Sequence, residues 1–307
     1  MQSLDASRTA ELLPWPALVD ALRDMLRRRH AGLPASPERL VVPLPGGLLL
    51  AMPATDSEYA STKLVTVHEG NAARGLPVLL GEVLLMRADT GERLLMLDGP
   101  TVTARRTAAM SALAVVELAP SRRESLLIFG SGVQARAHLD AFAALLDVRR
   151  VRVCSRTPAH ARAFVEHARR RGIDCAAVAE PADALAQADL VVTGTTATAP
   201  LFADEPSFDG FVTAVGAFRP QMCELPAALL ARASLFVDDL DGARHEAGDL
   251  IQAGVDWATV TPLERVLAGA APRPARGPVV FKCVGPALWD LAACRLAWSR
   301  VAGVAEH

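Results

Sequence analysis

Lysine is nearly absent from this chain. Of 32 basic residues only Lys63 and Lys282 are lysines, and the rest are arginine. A chain that uses arginine wherever a generic positive charge will do keeps lysine where a compact ammonium with a movable pKa is needed, which makes these two positions candidates for chemistry. Net charge is small as well, −2 at neutral pH, so nothing suggests nucleic acid or an anionic membrane as a partner. No apolar run reaches about 18 residues, and no membrane span is expected. The opening MQSLDASRTAELL lacks the basic and apolar regions of a signal peptide. Five cysteines, at 154, 175, 223, 283 and 294, form no C-x-x-C pair, and the histidines show neither H-x-x-x-H nor H-E-x-x-H spacing. These absences argue for reduced thiols in a cytoplasm and against a metal site. What remains is a 307-residue chain with 51% hydrophobic residues, long enough for two domains and a large core.

The most informative stretch runs from Ser125 to Phe142, SLLIFGSGVQARAHLDAF. An apolar run of strand length, Leu126 to Phe129, meets Gly130-Ser131-Gly132-Val133-Gln134-Ala135 and then a helical pattern through Leu139 and Phe142. This is the strand, turn and helix of a dinucleotide-binding unit in its G-x-G-x-x-A form. Gly130 permits the tight turn, Gly132 leaves room for a pyrophosphate, and Ala135 lets helix and strand pack closely. The helix N-terminus offers free N–H groups to the phosphates. The next strand, Arg150 to Cys154, ends in Ser155-Arg156-Thr157, where an NAD-preferring site carries an acid for the ribose hydroxyl. Ser155 and Thr157 can donate hydrogen bonds and Arg156 can pair with a 2′-phosphate, which favours NADPH, with NADH possible.

The fold class expected is α/β: a Rossmann-type doubly wound parallel sheet plus an α+β dimerisation and substrate domain with a mostly antiparallel sheet. The first hundred residues predict one helix over 5–31, a hairpin around Pro45-Gly46-Gly47, a strand over 63–67, and a hairpin around Asp89-Thr90-Gly91. A helix over 103–118, with Thr101 or Thr103 as its cap, leads into alternating strands and helices. Residues 270–278 read as a surface loop, and 286–301 as an apolar helix anchored by Trp289 and Trp298. The expected division is residues 1–110 plus 287–307 for substrate and dimerisation, and 111–286 for the nucleotide.

Lys63 stands at the head of a strand, Arg39 in a loop before the first hairpin, and Arg106 early in the helix joining the domains. Converging on a cleft, they would bind a carboxylate. Spacing alone leaves open whether they converge or are solvated surface charges.

The runs TKLVTVHEGNAARGLPVLLGEVLL, MLDGPTVTARRTAAMSALA, IFGSGVQARAH, TAVGAFRPQMCEL and FKCVGPALWDLAA together resemble the ornithine cyclodeaminase and mu-crystallin family, collinearly from Arg39 to Ala293. The resemblance implies a homodimer paired through its N-terminal sheets, and NAD(P) chemistry at an imine carbon beside a carboxylate. It puts Arg39, Lys63 and Arg106 at the substrate carboxylate, with Lys63 beside the imine, and Met52 in the same pocket. It puts Val133 and Gln134 at the phosphates, Thr196 after the fourth strand of the nucleotide sheet, and Val215 and Gly216 beside the nicotinamide. Phe218 flanks the substrate, Cys283 and Val284 form the last pocket loop, and Arg106 also touches the nucleotide.

One departure within the resemblance is decisive. Cyclodeaminases and alanine dehydrogenases of this family carry an aspartate in a G-x-D-x-P segment, where this chain reads Gly216-Ala217-Phe218-Arg219-Pro220. A phenyl ring transfers no proton. Mu-crystallin and bacterial ketimine reductases also lack that acid. The expectation is therefore an enzyme of proline metabolism, an NADPH-dependent reductase converting Δ1-pyrroline-2-carboxylate to L-proline and Δ1-piperideine-2-carboxylate to L-pipecolate. The alternatives are a cyclodeaminase, an amino-acid dehydrogenase, or a non-catalytic NADPH or ligand carrier.

Overall fold

A computed structural model describes residues 1–119, 123–274 and 276–303. Ala275, in the expected 270–278 loop, and 304–307, at the end of the expected substrate domain, lie outside the described residues. The elements are, in order, β1 (Gln2–Ser3), α1 (Ala6–Leu12), α2 (Trp15–His30), β2 (Leu40–Leu44), β3 (Gly47–Thr55), β4 (Tyr59–Val67), β5 (Leu79–Arg87), β6 (Arg93–Asp98) and α3 (Gly99–Leu118). There follow β7 (Ser125–Phe129), α4 (Val133–Leu145), β8 (Arg150–Cys154), α5 (Pro158–Arg169), β9 (Cys175–Ala177), α6 (Ala182–Ala186), β10 (Leu190–Thr193) and β11 (Phe211–Ala214). The last are α7 (Ala227–Arg232), β12 (Ser234–Val237), α8 (Leu240–Glu246), α9 (Gly248–Ala253), β13 (Thr261–Pro262), α10 (Leu263–Leu267), β14 (Val279–Lys282) and α11 (Ala287–Ala302). None of these helices is long and apolar enough to cross a membrane. The chain divides into two compact units, one taking Met1–Arg106 and the segment from Gly285, the other Thr107–Val284.

The first unit is built on a six-stranded sheet ordered β1-β6-β5-β4-β3-β2, antiparallel except where β1 runs parallel to β6. Side chains alternate across it. Ser61, Lys63 and Val65 of β4 are buried on the inner face, and Leu64 between them is exposed. The α11 helix packs on that inner face, against β3 to β6, and against α2. Nearly every residue of α11 from Ala287 to Ala297 is buried, Trp289 completely, so its sequence is apolar all round rather than on one stripe.

The expected single helix over 5–31 is two helices. Pro14 has no N–H and its ring drives the preceding residue out of the α region; Leu13 sits at φ −116°, ψ 56°, and α2 restarts with Pro14 as its cap. The cap of α3 is also different: Asp98 Oδ2 accepts the N–H of Thr101 at 2.8 Å, and the helix begins at Gly99. The acid satisfies the helix start one turn earlier than either threonine would.

The second unit carries an eight-stranded, all-parallel sheet ordered β13-β12-β14-β11-β10-β7-β8-β9. The order reverses between β7 and β10, where a doubly wound sheet opens its ligand crevice. Leu127, Phe129, Val191, Val212, Val237 and Val280 fill one side of it. A buried polar chain fastens α4 beneath the turn. His138 Nδ1 lies 2.8 Å from Gln134 O and its Nε2 2.9 Å from Ser111 Oγ, which lies 2.9 Å from Thr213 Oγ1. Burial pushes His138 down to about 4, so the ring is neutral. A carbonyl can only accept, so Nδ1 carries the proton, Ser111 donates to Nε2 and Thr213 donates to Ser111.

Candidate active site

The nucleotide-binding features of the second unit grow from the end of β7. Gly130 has φ +105°, and a Cβ there would lie 2.6 Å from the carbonyl of Gly194, so only glycine makes this turn. Nothing stands within 4 Å of where a Cβ of Gly132 would be. The first turn of α4 has no side-chain cap, which leaves its N–H groups for an anion. Gln134 Oε1 is buried and accepts no hydrogen bond. A cavity of about 760 Å³ opens alongside, lined by Gly130, Ser131, Ser155, Arg156, Thr157 and Thr195 among others. Ser131 and Ser155 hydroxyls lie 3.0 Å apart, joining the glycine turn to the end of β8. Those features fit a dinucleotide, and no acid stands at the end of β8. Of the expected contacts, Thr196 is exposed and absent from the cavity wall, where its neighbours Thr195 and Ala197 stand. Val133 and Gln134 belong to the helix start rather than to the wall. Val215 and Gly216 follow β11, and Cys283 and Val284 follow β14. Cys283 Sγ lies 3.1 Å from Asp238 Oδ2, and the Val284 N–H donates to Asp238 Oδ1 at 2.8 Å. The Phe218 ring is half-buried, with the Arg219 guanidinium 5.0 Å above it.

The first unit holds a cationic cluster of its own. Met52 and Lys63 are directly opposed on β3 and β4 and point to the inner face. Lys63 and Arg106 are 2% and 5% exposed. Asp290 of α11, which composition and motif did not single out, joins them. Its Oδ2 lies 2.8 Å from Lys63 Nζ and its Oδ1 3.2 Å from Arg106 Nε. Lys63 Nζ also donates to Thr103 Oγ1 at 3.4 Å. Arg39 reaches Gly285 O at 3.5 Å. Gly285 has φ +75°, and a Cβ there would collide with the Arg106 guanidinium, so glycine is required for the arginine to lie flat against the chain. Arg39, Lys63 and Arg106 thus do converge, and Met52 shares their face.

The electrostatics follow from burial. The Lys63 pKa is lowered from 10.5 to about 8: desolvation by burial lowers it most, Arg106 and Arg39 add to the fall, and Asp290 opposes it. Two buried cations, Lys63 and Arg106, share the one Asp290 carboxylate. Buried charge is costly unless compensated, so the cluster is suited to a second anion, and guanidiniums suit a carboxylate. The signal for Asp290 was in the sequence: it is the only acid in the apolar run ALWDLAACRLAW.

A dinucleotide crevice in one unit and a buried cationic cluster with a titratable lysine in the other are what an NAD(P)H-dependent oxidoreductase of small carboxylic acids requires. The sequence pattern of the ornithine cyclodeaminase/mu-crystallin family matches residues 3–304, and the chain belongs to that family. It is 48% identical over 295 residues to Δ1-pyrroline-2-carboxylate reductase 1 of Burkholderia multivorans, covering 95% of this chain and 94% of that one. Ketimine reductase mu-crystallin of Mus musculus is 36% identical over 299 residues, 96% and 93% of the two chains. Among solved structures, Thermococcus litoralis Δ1-pyrroline-2-carboxylate reductase in complex with NADH and L-proline superposes with a TM-score of 0.91 over 100% of both chains at 26% identity.

Proposed function

We propose that this protein reduces cyclic ketimine acids with NADPH, turning Δ1-pyrroline-2-carboxylate into L-proline and Δ1-piperideine-2-carboxylate into L-pipecolate. The observation that carries the reading is the buried Lys63–Asp290–Arg106 cluster in a chain close to reductases of these substrates. Arg39 and Arg106 hold the carboxylate, and Met52, Phe218 and Val284 offer apolar surface to the ring. Lys63, held by Asp290, keeps an ammonium at the imine nitrogen, where positive charge makes C2 electrophilic. The bound dinucleotide supplies the hydride. As the C2–H bond forms, the C=N π pair moves onto nitrogen, which takes up a proton. Phe218 in place of an aspartate leaves no acid to act on a substrate amine, which disfavours ornithine cyclodeamination. NADPH oxidation followed at the nicotinamide absorbance should be rapid with Δ1-pyrroline-2-carboxylate; nucleotide binding without turnover would favour the carrier reading instead.

The dinucleotide contacts assigned in this reading are Gly130, Gly132, Val133, Gln134, Ser155, Arg156, Thr157, Thr196, Val215, Gly216 and Cys283, with Arg106. NADPH is preferred in this reading because Arg156 lines the cavity at the end of β8 and residues 154–157 carry no acid. Arg156→Ala should raise the KM for NADPH by about ten- to a hundredfold, the loss of a charge-assisted hydrogen bond, and leave the KM for NADH nearly unchanged. Equal effects on the two cofactors would count against this role.

Residues 1–110 with 287–307 form the substrate and dimerisation domain in this reading, and 111–286 the nucleotide domain. A homodimer is proposed on the outer face of the first sheet, where Leu40 and Leu64 are 61% and 50% exposed beside Val42 and Leu80. Contiguous apolar surface of this kind marks an interface. Leu64→Asp should convert a dimer to a monomer in sedimentation equilibrium, and a monomeric parent protein would refute the assignment. The five cysteines are free, consistent with a cytoplasmic location.

A further inference from the structure

A second buried ionic cluster lies behind the carboxyl ends of β10 and β11, and the phosphate turn makes no use of it. Glu224 is fully buried. Its Oε1 accepts the Thr195 N–H at 2.7 Å and the Thr195 hydroxyl at 2.8 Å. Its Oε2 accepts the Thr193 hydroxyl at 2.9 Å and the N–H groups of Gly216 at 2.8 Å and Ala217 at 3.2 Å. Every one of these neighbours donates, which an ionised carboxylate accommodates and a protonated one, itself a donor, does not. Burial and the nearby Asp249 carboxylate push the Glu224 pKa up, and the charge of Lys282 and the Thr195 donors oppose that rise. Asp249 Oδ1 accepts the N–H groups of Glu224 and Leu225, and its Oδ2 pairs with Lys282 Nζ at 3.0 Å. Asp249 and Lys282 are as buried as Glu224. Two carboxylates and one ammonium leave this cluster with an excess negative charge.

Its position in the sheet gives that charge a meaning. A doubly wound sheet consists of two mononucleotide-binding halves with the ligand outside the strand carboxyl ends. The β7-β8-β9 half carries the glycine turn and Arg156. The β10-β11-β14 half therefore receives the nicotinamide, and Thr193, Thr195, Gly216 and Ala217 are the residues at its strand ends. The oxidised nicotinamide carries a positive charge and the reduced one none, so a fixed negative charge in low dielectric stabilises the oxidised ring selectively.

We propose that Glu224 is a positioning residue for hydride transfer: it ties together the two strand ends that hold the nicotinamide, and the excess negative charge it shares with Asp249 and Lys282 favours the oxidised ring. This rests on the NAD(P)H reductase reading. The C4–H bond of the reduced ring breaks as the C2–H bond of the imine forms; the ring is oxidised, the imine reduced, and the imine nitrogen takes the proton.

Isothermal titration of NADPH and NADP⁺ against the full-length protein separates the electrostatic role from a structural one. Glu224→Gln keeps the side-chain shape and removes the charge. It should weaken NADP⁺ relative to NADPH by roughly tenfold, as for a unit charge about 10 Å away at an effective dielectric near 20. Lys282→Met removes the opposite charge and should shift the same ratio in the opposite direction. A purely structural role would lower the thermal midpoint in both variants and weaken both nucleotides together. An unchanged ratio, or shifts of the same sign, overturns the proposal. If Glu224→Gln does not fold, Lys282→Met alone decides by the sign of its shift. If the unsubstituted protein binds neither nucleotide, the reductase reading fails instead.

Discussion

Lys63→Met is expected to lower kcat for imine reduction by roughly a hundred- to ten-thousandfold, the range for loss of a positioned proton-transfer group, while KM changes little. The split follows from the site. Arg39 and Arg106 remain to hold the carboxylate, and Asp290 keeps its contact with Arg106 Nε at 3.2 Å, so removing the ammonium does not strand a buried acid. Methionine has a similar reach and suits an apolar surround. The pH profile adds a second signature. With its pKa brought down to about 8, chiefly by burial, Lys63 is protonated at neutral pH in the free enzyme, and the parent protein should lose kcat/KM as pH rises through that value. The variant should lack that limb. A variant with parental kcat would remove Lys63 from the chemistry.

Asp290→Asn should move the same limb to lower pH and destabilise the fold. Asp290 is the one group that raises the Lys63 pKa, while burial, Arg106 and Arg39 all lower it. Without the carboxylate, Lys63 gives up its proton more readily, and kcat/KM at pH 8 should fall far more than kcat/KM at pH 6. Leaving the buried cations uncompensated should cost about 3–5 kcal/mol, a drop in Tm on the order of ten degrees. In the parent protein Lys63 titrates near 8 when folded and at 10.5 when unfolded. Between those values the unfolded chain holds the extra proton, so this residue's contribution to stability rises with pH across that window. An Asn variant with an unmoved limb would show that Asp290 does not control Lys63.

The sequence made the nucleotide half legible because its signals are local. The glycine turn lies between a strand and a helix that are each continuous in the chain, and Gly130 is strained in the way that motif demands. The scarcity of lysine also told something physical: Lys63 and Lys282 are both buried in ion pairs. What local reading missed depends on long-range partners. Asp290 meets Lys63 from more than two hundred residues away along the chain, and Glu224 takes its donors from two separate segments, so no spacing rule reveals either. Asp290 was nevertheless visible as a lone acid in an apolar helix. The break at Pro14 and the Asp98 cap were also present in the residues, and were masked by the leucine periodicity of 12–26 and by the two nearby threonines.

The most direct measurement is the fate of a labelled hydride. NADPH carrying deuterium at the transferable C4 position, incubated with this protein and Δ1-pyrroline-2-carboxylate, should yield L-proline with one deuterium at Cα. That outcome would establish hydride delivery to the carbon beside the carboxylate. Unlabelled proline, no proline at all, or ammonia released from ornithine in a parallel incubation would contradict the assignment.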